Sequence, residues 1–357
     1  MSTARILVAL SGGVDSAVAA GLLQQDGAEL VGVFMRNGVS GGAARRSCCS
    51  LSDARDARAV ADRLGIPFYV ADLERPFARL IEAFAADYAR GLTPNPCVVC
   101  NHDLKFGELL RLADDLGCAQ VATGHYARLD GGRLRRAVDP GKDQSYLLAG
   151  LEPAQLRRAR LPLGGLLKAQ VRALATRLGL PVADKPDSAE ICFVPGGDYR
   201  AVVAERTGGL GAVGRLVDAE GATLGRHAGT AAFTVGQRRG LGLARGEPVY
   251  VTAIDPDSGD VTVGPREALL RDECQVGAVS WQQPRPSLPS GVVGVQLRHH
   301  HQAEAARLLP DSDADGQGLR VRFERPSGAV TPGQYAAFYD GDLVLGGGRI
   351  RRPAPAA

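Results

Sequence analysis

Ser11-Gly12-Gly13-Val14-Asp15-Ser16 follows a short apolar run at residues 6–10, and apolar residues at helical spacing begin directly after it. This order predicts a buried strand, a glycine turn and a helix that ends near Gly27. Such a junction binds anions, because the free amides of the first helical turn and the helix dipole both favour negative charge there. Gly12 and Gly13 let the backbone approach a phosphate, and the two serine hydroxyls can donate to its oxygens. Residues 11–16 are therefore predicted to be a phosphate-binding loop.

Asp15 is unusual in this loop, because a carboxylate repels phosphate unless a cation such as Mg²⁺ lies between them. The motif is not a Walker loop, since no Gly-Lys-Ser/Thr follows it. It resembles the SGGxDS signature of the PP-loop ATP pyrophosphatases, which cleave ATP to AMP and pyrophosphate while they adenylate a substrate oxygen. The alternative interpretation is an ordinary strand-to-helix turn, which the Asp-Ser pair and the strand–helix context disfavour.

Length and composition are those of a soluble protein with two or three domains. The chain has 357 residues, of which 45% are apolar and 23% charged, and this is enough to build substantial cores. The formal charge of +3 neither requires nor excludes a nucleic-acid partner, so an RNA site has to come from local patches. Among 42 basic residues only four are lysines, so each lysine merits attention: Lys105, Lys142, Lys168 and Lys185.

Cysteine usage bears on the compartment. The seven cysteines are scattered and odd in number, and no signal peptide precedes them, which indicates reduced thiols rather than a disulfide framework. No stretch approaches the ~18–20 apolar residues that span a bilayer, so no membrane partner is expected. The sequence predicts a cytoplasmic protein.

Strand-like and helix-like segments alternate over the first 120 residues. Strand candidates follow at residues 30–35, 68–71 and 120–123, and helix candidates at residues 52–64 and 106–116. This βαβα order implies a parallel sheet with helices on both faces. Ligands then sit at the carboxyl ends of the strands, where the phosphate-binding loop, Met35 and Gly124-His125 all emerge. Residues 36–50 lack periodicity and are a candidate lid.

After residue 199 the sequence changes to short alternating segments separated by glycines, which is typical of small β structure. Strand candidates lie at residues 214–218, 229–235, 249–254, 261–263 and 343–350. The predicted division is an α/β domain at 1–200, a small β-rich domain at 201–270 and a C-terminal β-barrel at 271–352.

Two cysteine motifs carry further chemistry. Two prolines fix the backbone as it enters Cys97 and Cys100, whose spacing suits a redox pair, half a zinc site or part of an iron–sulfur site. A coincidental pair is a further alternative. Cys192 sits in a charged loop, so with Lys185 nearby it is a candidate reactive thiol of low pKa, whereas Cys118 and Cys274 are expected to be buried.

Seven motifs together resemble the bacterial tRNA-uridine 2-sulfurtransferases, the tRNA-specific 2-thiouridylases of the PP-loop superfamily. The motifs are SGGVDS, TPNPCVVCN, TGHYAR, KDQSYLL, ADKPDSAEICF, FTVGQRRGLG and PGQYAAFYDGD, and they run from Ala9 to about Arg349. The resemblance implies an adenine nucleotide alpha-hydrolase-like, Rossmann-like N-terminal domain, followed by a small central β-rich domain and a C-terminal β-barrel that contacts tRNA. It also implies 2-thiolation of the wobble uridine of tRNAs for Lys, Glu and Gln.

The chemistry of this family explains the residue types. Adenylation by ATP turns the uracil C2 oxygen into a good leaving group, and a cysteine persulfide supplies sulfur as a strong nucleophile. By resemblance, Cys192 carries the persulfide, and Cys100 either frees sulfide from it or accepts a transient disulfide with Cys192. The donor of that sulfur is expected to be a protein, either a cysteine desulfurase or a sulfur relay protein.

The same resemblance assigns the binding residues. ATP contacts are expected, with Mg²⁺, from Ala9, Leu10, Ser11, Gly12, Gly13, Val14, Asp15, Ser16, Met35 and Gly124. The flipped target base is expected at Asn95, Pro96 and Cys97, and the rest of the tRNA at His125, Lys142, Asp143, Gln144, Arg298, His299 and Gln334. Structural alternatives remain open for three of these groups: a satisfied structural histidine at His125, a solvated turn at residues 142–144, and an exposed strand edge at residues 298–301.

The chain departs from the family at one position. Many family members carry aspartate where this chain has Cys97, which puts in doubt the acid/base help credited to that carboxylate. Two hypotheses follow. Either a plain persulfide relay operates and the third catalytic candidate, Cys97, merely fills the place of the aspartate, or Cys97, Cys100 and Cys192 hold a [4Fe–4S] cluster with one iron open to sulfide.

Two other functions compete on the phosphate-binding loop alone. A C–N bond-forming PP-loop ligase needs neither the three cysteines nor a β-rich RNA-binding half, so both features count against it. A non-catalytic RNA- or metal-binding protein has no need of an intact SGGVDS.

Overall fold

The computed structural model describes residues 4–38, 51–187, 191–243, 246–282, 291–311 and 318–353. The strands are β1 (Arg5–Ala9), β2 (Glu29–Arg36), β3 (Phe68–Asp72), β4 (Gln120–Ala122), β5 (Arg128–Asp130), β6 (Arg133–Arg135), β7 (Ala159–Arg160), β8 (Gly214–Val217), β9 (Thr223–His227), β10 (Tyr250–Ile254), β11 (Val261–Gly264), β12 (Arg271–Trp281), β13 (Val293–Gln296), β14 (Glu304–Pro310), β15 (Leu319–Ser327), β16 (Tyr335–Asp340) and β17 (Leu343–Ile350). The helices are α1 (Val14–Gln25), α2 (Leu51–Leu64), α3 (Glu74–Ala89), α4 (Pro96–Val99), α5 (Leu109–Asp115), α6 (Ser145–Leu148), α7 (Pro153–Arg158), α8 (Lys168–Arg177) and α9 (Tyr199–Thr207), and a π-helical stretch, Cys100–Glu108, joins α4 to α5.

The N-terminal sheet has the order β3-β2-β1-β4-β7 and is parallel throughout. Side chains of β1 alternate between two buried clusters: Leu7 packs with Leu109 on one face, and Val8 packs with Ala17 of α1 on the other. Both faces are therefore covered, and the predicted α/β fold with a parallel sheet is confirmed. The predicted candidate lid at residues 36–50 lies mostly outside the described residues, as do Cys48 and Cys49.

The second half of the chain forms two β units. Strands β10-β11-β8-β9 make a four-stranded sheet. Strands β12-β15-β14-β13-β16-β17 close into a six-stranded barrel through the β12–β17 pairing, which confirms the predicted β-barrel. The β5–β6 hairpin of the N-terminal unit extends this barrel, because Leu343 pairs with Arg135.

Two local predictions, and one of the structural alternatives, were wrong. The helix expected at residues 106–116 begins earlier, because Asn95 and Pro96 start α4 and the π-helical stretch continues it. The strand expected at residues 229–235 is a 3₁₀ turn and loop, because Gly229 lies against the backbone of Leu210. The strand in this part of the chain is β9, which ends at His227. Residues 298–301 form a turn after β13 rather than a strand edge, with His300 at φ 63°.

The barrel holds the loop that leads into the cysteine motif. The amide of Thr93 donates to the carbonyl of Pro332 over 2.8 Å, and the Gln334 side chain donates to the carbonyl of Thr93 over 3.0 Å. Arg349 of β17 pairs with Asp87 of α3 nearby. Thr93, the first residue of TPNPCVVCN, is thus fixed by contacts with the barrel. Over the described ranges, none of the helices combines the length and the apolar character that crossing a membrane requires.

Candidate active site

A pocket of about 370 Å³ lies at the carboxyl ends of β1, β2 and β4. It brings together segments that are far apart in sequence: the phosphate-binding loop, Met35, residues 123–126, the Cys97–Cys100 motif and the loop around Cys192. The expectation that the phosphate-binding loop, Met35 and Gly124-His125 emerge at one edge of the sheet is confirmed.

The phosphate-binding loop is held in shape by its own side chains and by α2. The Ser11 amide donates to the Ser16 hydroxyl over 3.1 Å, and that hydroxyl donates to the Gly13 carbonyl over 3.1 Å. Gly12 has φ +73°, and a Cβ there would stand 2.3 Å from the Asp53 carbonyl oxygen. Glycine is therefore required at this position both by the backbone conformation and by the close approach of α2.

Asp15 already has a cation beside it. Its two carboxylate oxygens lie 2.7 and 2.9 Å from Nζ of Lys168, and the Tyr126 hydroxyl donates to the first of them over 2.8 Å. Burial and the neighbouring Asp15 charge raise the pKa of Tyr126, so its proton stays on the hydroxyl. Lys168 therefore supplies the positive charge that a carboxylate in a phosphate site needs.

Asp187 is the centre of a second group of charges. Lys142, Lys168 and Arg172 all contact its carboxylate, the first two at 2.8 Å. Burial alone would raise the pKa of Asp187, but the hydrogen bonds from Lys142 and Lys168 outweigh it and hold that pKa at about 2. Lys168 Nζ thus bridges Asp187 to Asp15.

Lys185 reaches the phosphate-binding loop from the segment that precedes Cys192. Its Nζ donates to the Gly12 carbonyl over 2.9 Å and pairs with Asp53 and Asp56 of α2. Burial opposes the charged form, but the hydrogen bonds to both carboxylates prevail and raise the pKa of Lys185. Its ammonium is therefore committed to α2 and the loop, which weakens the sequence-based idea that it activates the Cys192 thiol.

His125 is buried between two partners. Its Nδ1 lies 2.7 Å from the Thr123 hydroxyl and its Nε2 lies 3.5 Å from Nζ of Lys105. Burial, and then the charge of Lys105, hold the pKa of His125 well below its usual value, so the ring is neutral at physiological pH. With Lys105 placed here, all four lysines of the chain lie at or beside the pocket: Lys105, Lys142, Lys168 and Lys185.

The three site cysteines line the pocket together. Asn95 caps α4, with its side chain accepting from the amides of Cys97 and Val98, and this starts the helical turn that carries Cys97 and Cys100. Cys192 lines the same pocket. It is followed by Phe193, whose ring packs edge-to-face on Phe77 and Phe84 of α3. Cys118 and Cys274 are buried elsewhere, as expected.

The arrangement of the thiols and carboxylates in the pocket bears on whether they could hold an iron–sulfur cluster or Mg²⁺. Across the described part of the chain, no three His, Cys, Asp or Glu side chains are grouped so that they could hold a metal ion. The three thiols therefore share a pocket without forming a ligand set for a [4Fe–4S] cluster in this arrangement. The pocket carboxylates Asp15, Asp53 and Asp187 each pair with a lysine in the described structure, so none of these three is an open ligand for Mg²⁺.

The residues expected to touch tRNA fall into two groups. Those that line the pocket are Pro96, Cys97, His125, Lys142 and Gln144. The others have protein partners in the described structure. Asn95 caps α4, Gln334 bonds Thr93, and Arg298 donates to Thr331 and to the Ala329 carbonyl.

Asp143 and His299 belong to this second group. Asp143 accepts from Arg136 and from the Ser145 hydroxyl, both over 2.9 Å, so residues 142–144 are more than a solvated turn. His299 lies beside Tyr146, and burial, together with His300, lowers the pKa of His299 to about 4. Their roles toward tRNA stay predictions.

Sequence patterns did not single out several residues that shape the site. Tyr126 and Asp187 lie inside motifs in which other residues were the predicted site residues. Phe193 has the pattern of an ordinary buried apolar side chain. Lys168 carried the one usable signal, the scarcity of lysine in a chain rich in basic residues.

Three family models match consecutive parts of the chain. A tRNA methyl transferase HUP domain matches residues 4–196, a tRNA methyl transferase PRC-barrel domain matches residues 206–265, and an aminomethyltransferase beta-barrel domain matches residues 271–350. These matches together follow the order of the α/β unit, the small β unit and the barrel.

Curated relatives match over nearly the full length. A tRNA-specific 2-thiouridylase MnmA from Geobacter metallireducens is 46% identical, with 97% of this chain and 96% of the relative covered. One of the same name from Geotalea uraniireducens is 47% identical, with 97% and 94% covered. Among solved structures, an NH3-dependent NAD synthetase from Campylobacter jejuni is similar over 52% of this chain and 69% of its own, at 20% identity and a TM-score of 0.32, which is too distant to carry an argument.

Two of the family models are described as tRNA methyl transferase domains, whereas the relatives that match over 97% of the chain are named tRNA-specific 2-thiouridylases. Whole-chain identity of 46–47% covers the cysteine motifs and the barrel as well as the phosphate-binding loop, so it is the more specific finding. The chain belongs to the family of the tRNA-specific 2-thiouridylases.

Proposed function

We propose that this protein catalyses ATP-dependent 2-thiolation of the wobble uridine in the tRNAs for Lys, Glu and Gln. The observation that carries the proposal is that Cys97, Cys100 and Cys192 line the same pocket as the phosphate-binding loop. An enzyme that activates an oxygen with ATP and then replaces it with sulfur needs both functions within reach of one base. Family membership supports the same reaction.

In the first step, the uracil C2 oxygen attacks the α-phosphorus of ATP. The bond between that oxygen and phosphorus forms, the α–β phosphoanhydride bond breaks, and pyrophosphate leaves. The amides at the start of α1, the Ser11 and Ser16 hydroxyls and the charge of Lys168 beside Asp15 stabilise the leaving pyrophosphate. Mg²⁺ held by the ATP phosphates themselves would supply charge neutralisation there.

In the second step, the terminal sulfur of a Cys192 persulfide attacks C2, and the C2–sulfur bond replaces the C2–oxygen bond as AMP leaves. The Cys100 thiolate then attacks Cys192 Sγ, which breaks the persulfide bond and leaves both electrons on the transferred sulfur. The products are 2-thiouridine and a Cys100–Cys192 disulfide, which an external thiol reduces. In the alternative route, Cys100 attacks the persulfide first and releases sulfide as the nucleophile.

The sulfur donor is, in this proposal, a cysteine desulfurase or a sulfur relay protein that loads Cys192. Cys97 occupies the position where many family members carry aspartate. An iron–sulfur cluster on the three cysteines is the competing sulfur carrier, and we assign no step to it because the residues do not form its ligand set.

The test is thiolation in vitro with ATP, cysteine, a cysteine desulfurase and a tRNA that has uridine at the wobble position. We expect 2-thiouridine in digested tRNA by mass spectrometry, with one AMP and one pyrophosphate for each sulfur transferred. A matched tRNA with wobble cytidine is the control and should stay unmodified. ATP cleavage that needs an amine but no tRNA would point instead to a C–N bond-forming ligase and would overturn the proposal.

A further inference from the structure

Lys168 contacts both the phosphate-binding loop and the segment leading to Cys192. Its ammonium group has three N–H donors, and three carboxylate oxygens surround it: both oxygens of Asp15, at 2.7 and 2.9 Å, and one of Asp187, at 2.8 Å. The Lys168 side chain is only 16% exposed, so water competes little for these contacts. Any further anion that binds Lys168 must displace one of the three.

Asp187 belongs to what we call the Cys192 segment, residues 183–187 and 191–193. Arg172 of α8 donates to the carbonyls of Ala183 and Lys185 and also pairs with Asp187. Lys185 in turn donates to the Gly12 carbonyl of the phosphate-binding loop. The first half of the segment is therefore fastened to α8 and to the loop by charged contacts.

The second half of the segment is fastened differently. Phe193 is 4% exposed, and its ring centroid lies 5.8 Å from that of Phe77 and 5.1 Å from that of Phe84. Along the chain, Cys192 thus lies between two fixed points: the ion pairs of Asp187, which we call the ionic anchor, and the packing of Phe193 on α3, which we call the apolar anchor. Of the two anchors, only the ionic one is linked to the phosphate-binding loop, through Lys168 at Asp187 and through the contact of Lys185 with the Gly12 carbonyl.

We propose that Lys168 is a positioning residue that holds Asp15 and Asp187 in one ion-pair network, so that phosphate bound at the loop changes the position of Cys192. This inference rests on the proposed function, in which ATP binds the loop and Cys192 carries sulfur. A triphosphate beside Asp15 competes with Asp187 for the Lys168 ammonium. Asp187 keeps Lys142 and Arg172 when it loses Lys168, and Asp15 keeps Tyr126, so the exchange leaves neither carboxylate unpaired.

The physical basis is a difference in interaction energy between two arrangements. A ligand shifts a conformational equilibrium only as far as it interacts differently with the two states. Phosphate binding favours the arrangement in which Lys168 faces the loop, and it disfavours the arrangement in which Lys168 also holds Asp187. Lys168 is where that difference arises.

The experiment measures the rate at which N-ethylmaleimide alkylates Cys192, by mass spectrometry of the Cys192 peptide, with and without saturating α,β-methylene-ATP. For the wild-type protein we expect the analogue to change the rate at least about fivefold, the low end of typical coupling between two sites. Lys168→Met and Asp187→Asn should reduce the change to less than about twofold, and Lys168→Arg should restore part of it. Asp114→Asn, which removes an exposed partner of Arg158 outside the pocket, is the matched control and should respond as the wild type does.

Asp187→Asn decides the result, because it keeps Lys168 on Asp15 and should bind the analogue within about threefold of the wild-type affinity by calorimetry. An unchanged alkylation rate in the wild type would overturn the proposal, and so would a full response in Asp187→Asn, since the analogue would then only shield Cys192. Neither measurement needs tRNA or sulfur. If the wild-type protein thiolates tRNA but the analogue does not change the rate of Cys192 alkylation, this inference alone is refuted. Absence of analogue binding to the wild type refutes the proposed function as well.

Discussion

Gly124 packs so closely on Ser16 that an added Cβ would stand 2.7 Å from the Ser16 amide nitrogen. The same Cβ would lie 2.8 Å from the Asp15 carbonyl carbon, so the turn after β4 fits directly against the first turn of α1. Backbone atoms cannot move aside as the end of a flexible side chain can. The spacing of the phosphate-binding loop from β4 therefore depends on glycine at this position.

We predict that Gly124→Ala raises the KM for ATP by at least about fivefold, because overpacking of this kind costs about 1–3 kcal/mol and 1.4 kcal/mol corresponds to a factor of ten. Steady-state measurement of pyrophosphate release in the presence of tRNA checks this. Gly165→Ala is the matched control, since a Cβ there meets nothing within 4 Å, and its KM should equal that of the wild type. Equal KM values in both variants would contradict the prediction.

Cys97→Asp separates the persulfide relay from a cluster mechanism. With the relay, we expect this variant to keep thiolation within about tenfold of wild type, because the relay assigns no sulfur-transfer step to Cys97, whereas Cys100→Ser and Cys192→Ser lose about 10³-fold or more. Thiolation is measured with anaerobically purified protein, alongside iron and sulfide analysis. If all three variants fail together and lose a shared iron–sulfur chromophore, the relay is wrong and the thiols act as one cluster site.

Phe193→Ala is expected to lower the free energy of unfolding by about 3–5 kcal/mol, because it removes a buried ring and its two edge-to-face contacts. It should also speed alkylation of Cys192, because the apolar anchor beside the thiol is lost. Urea denaturation and peptide mass spectrometry give the two quantities. Phe323→Ala in the barrel core is the control. It should lose comparable stability and leave the Cys192 alkylation rate unchanged, and a matching increase in that variant would show a global rather than a local effect.

Stability should fall as pH drops from about 6.5 toward 4. The pKa of His299 is lowered to about 4 in the folded protein, and that of His125 lies well below its usual value, in both cases mainly through burial. Within this window the unfolded chain binds protons that the folded chain does not, so the free energy of unfolding decreases as pH falls and is fully restored above about pH 6.5. His299→Gln should therefore have a shallower pH dependence over the window, measured by urea denaturation at several pH values. An identical slope in the variant and the wild type would contradict this assignment.

Much of the N-terminal fold could be predicted because its signals are local. The alternation of Leu7 and Val8 between two buried clusters follows from the apolar character of β1 and its neighbours. In the barrel, the strand that the sequence predicts at residues 343–350 is observed at the same bounds. The failures occurred where distant contacts override local pattern. The backbone of Leu210 displaces the expected strand at Gly229, and the cap at Asn95 starts helical structure ten residues before the predicted start at residue 106.

The sequence by itself determined that a phosphate-binding loop follows a buried strand, that the chain combines an α/β unit with β units, and that three cysteines lie in charged or proline-bounded motifs. Only the tertiary structure decided that Lys168 pairs with Asp15, 153 positions away, and that it also holds Asp187 beside Cys192. The physical reason is that periodicity encodes which side chains leave water, whereas the partner of a buried charge depends on where the parallel sheet brings distant segments together. Burial made those pairings necessary, and the fold selected the partners.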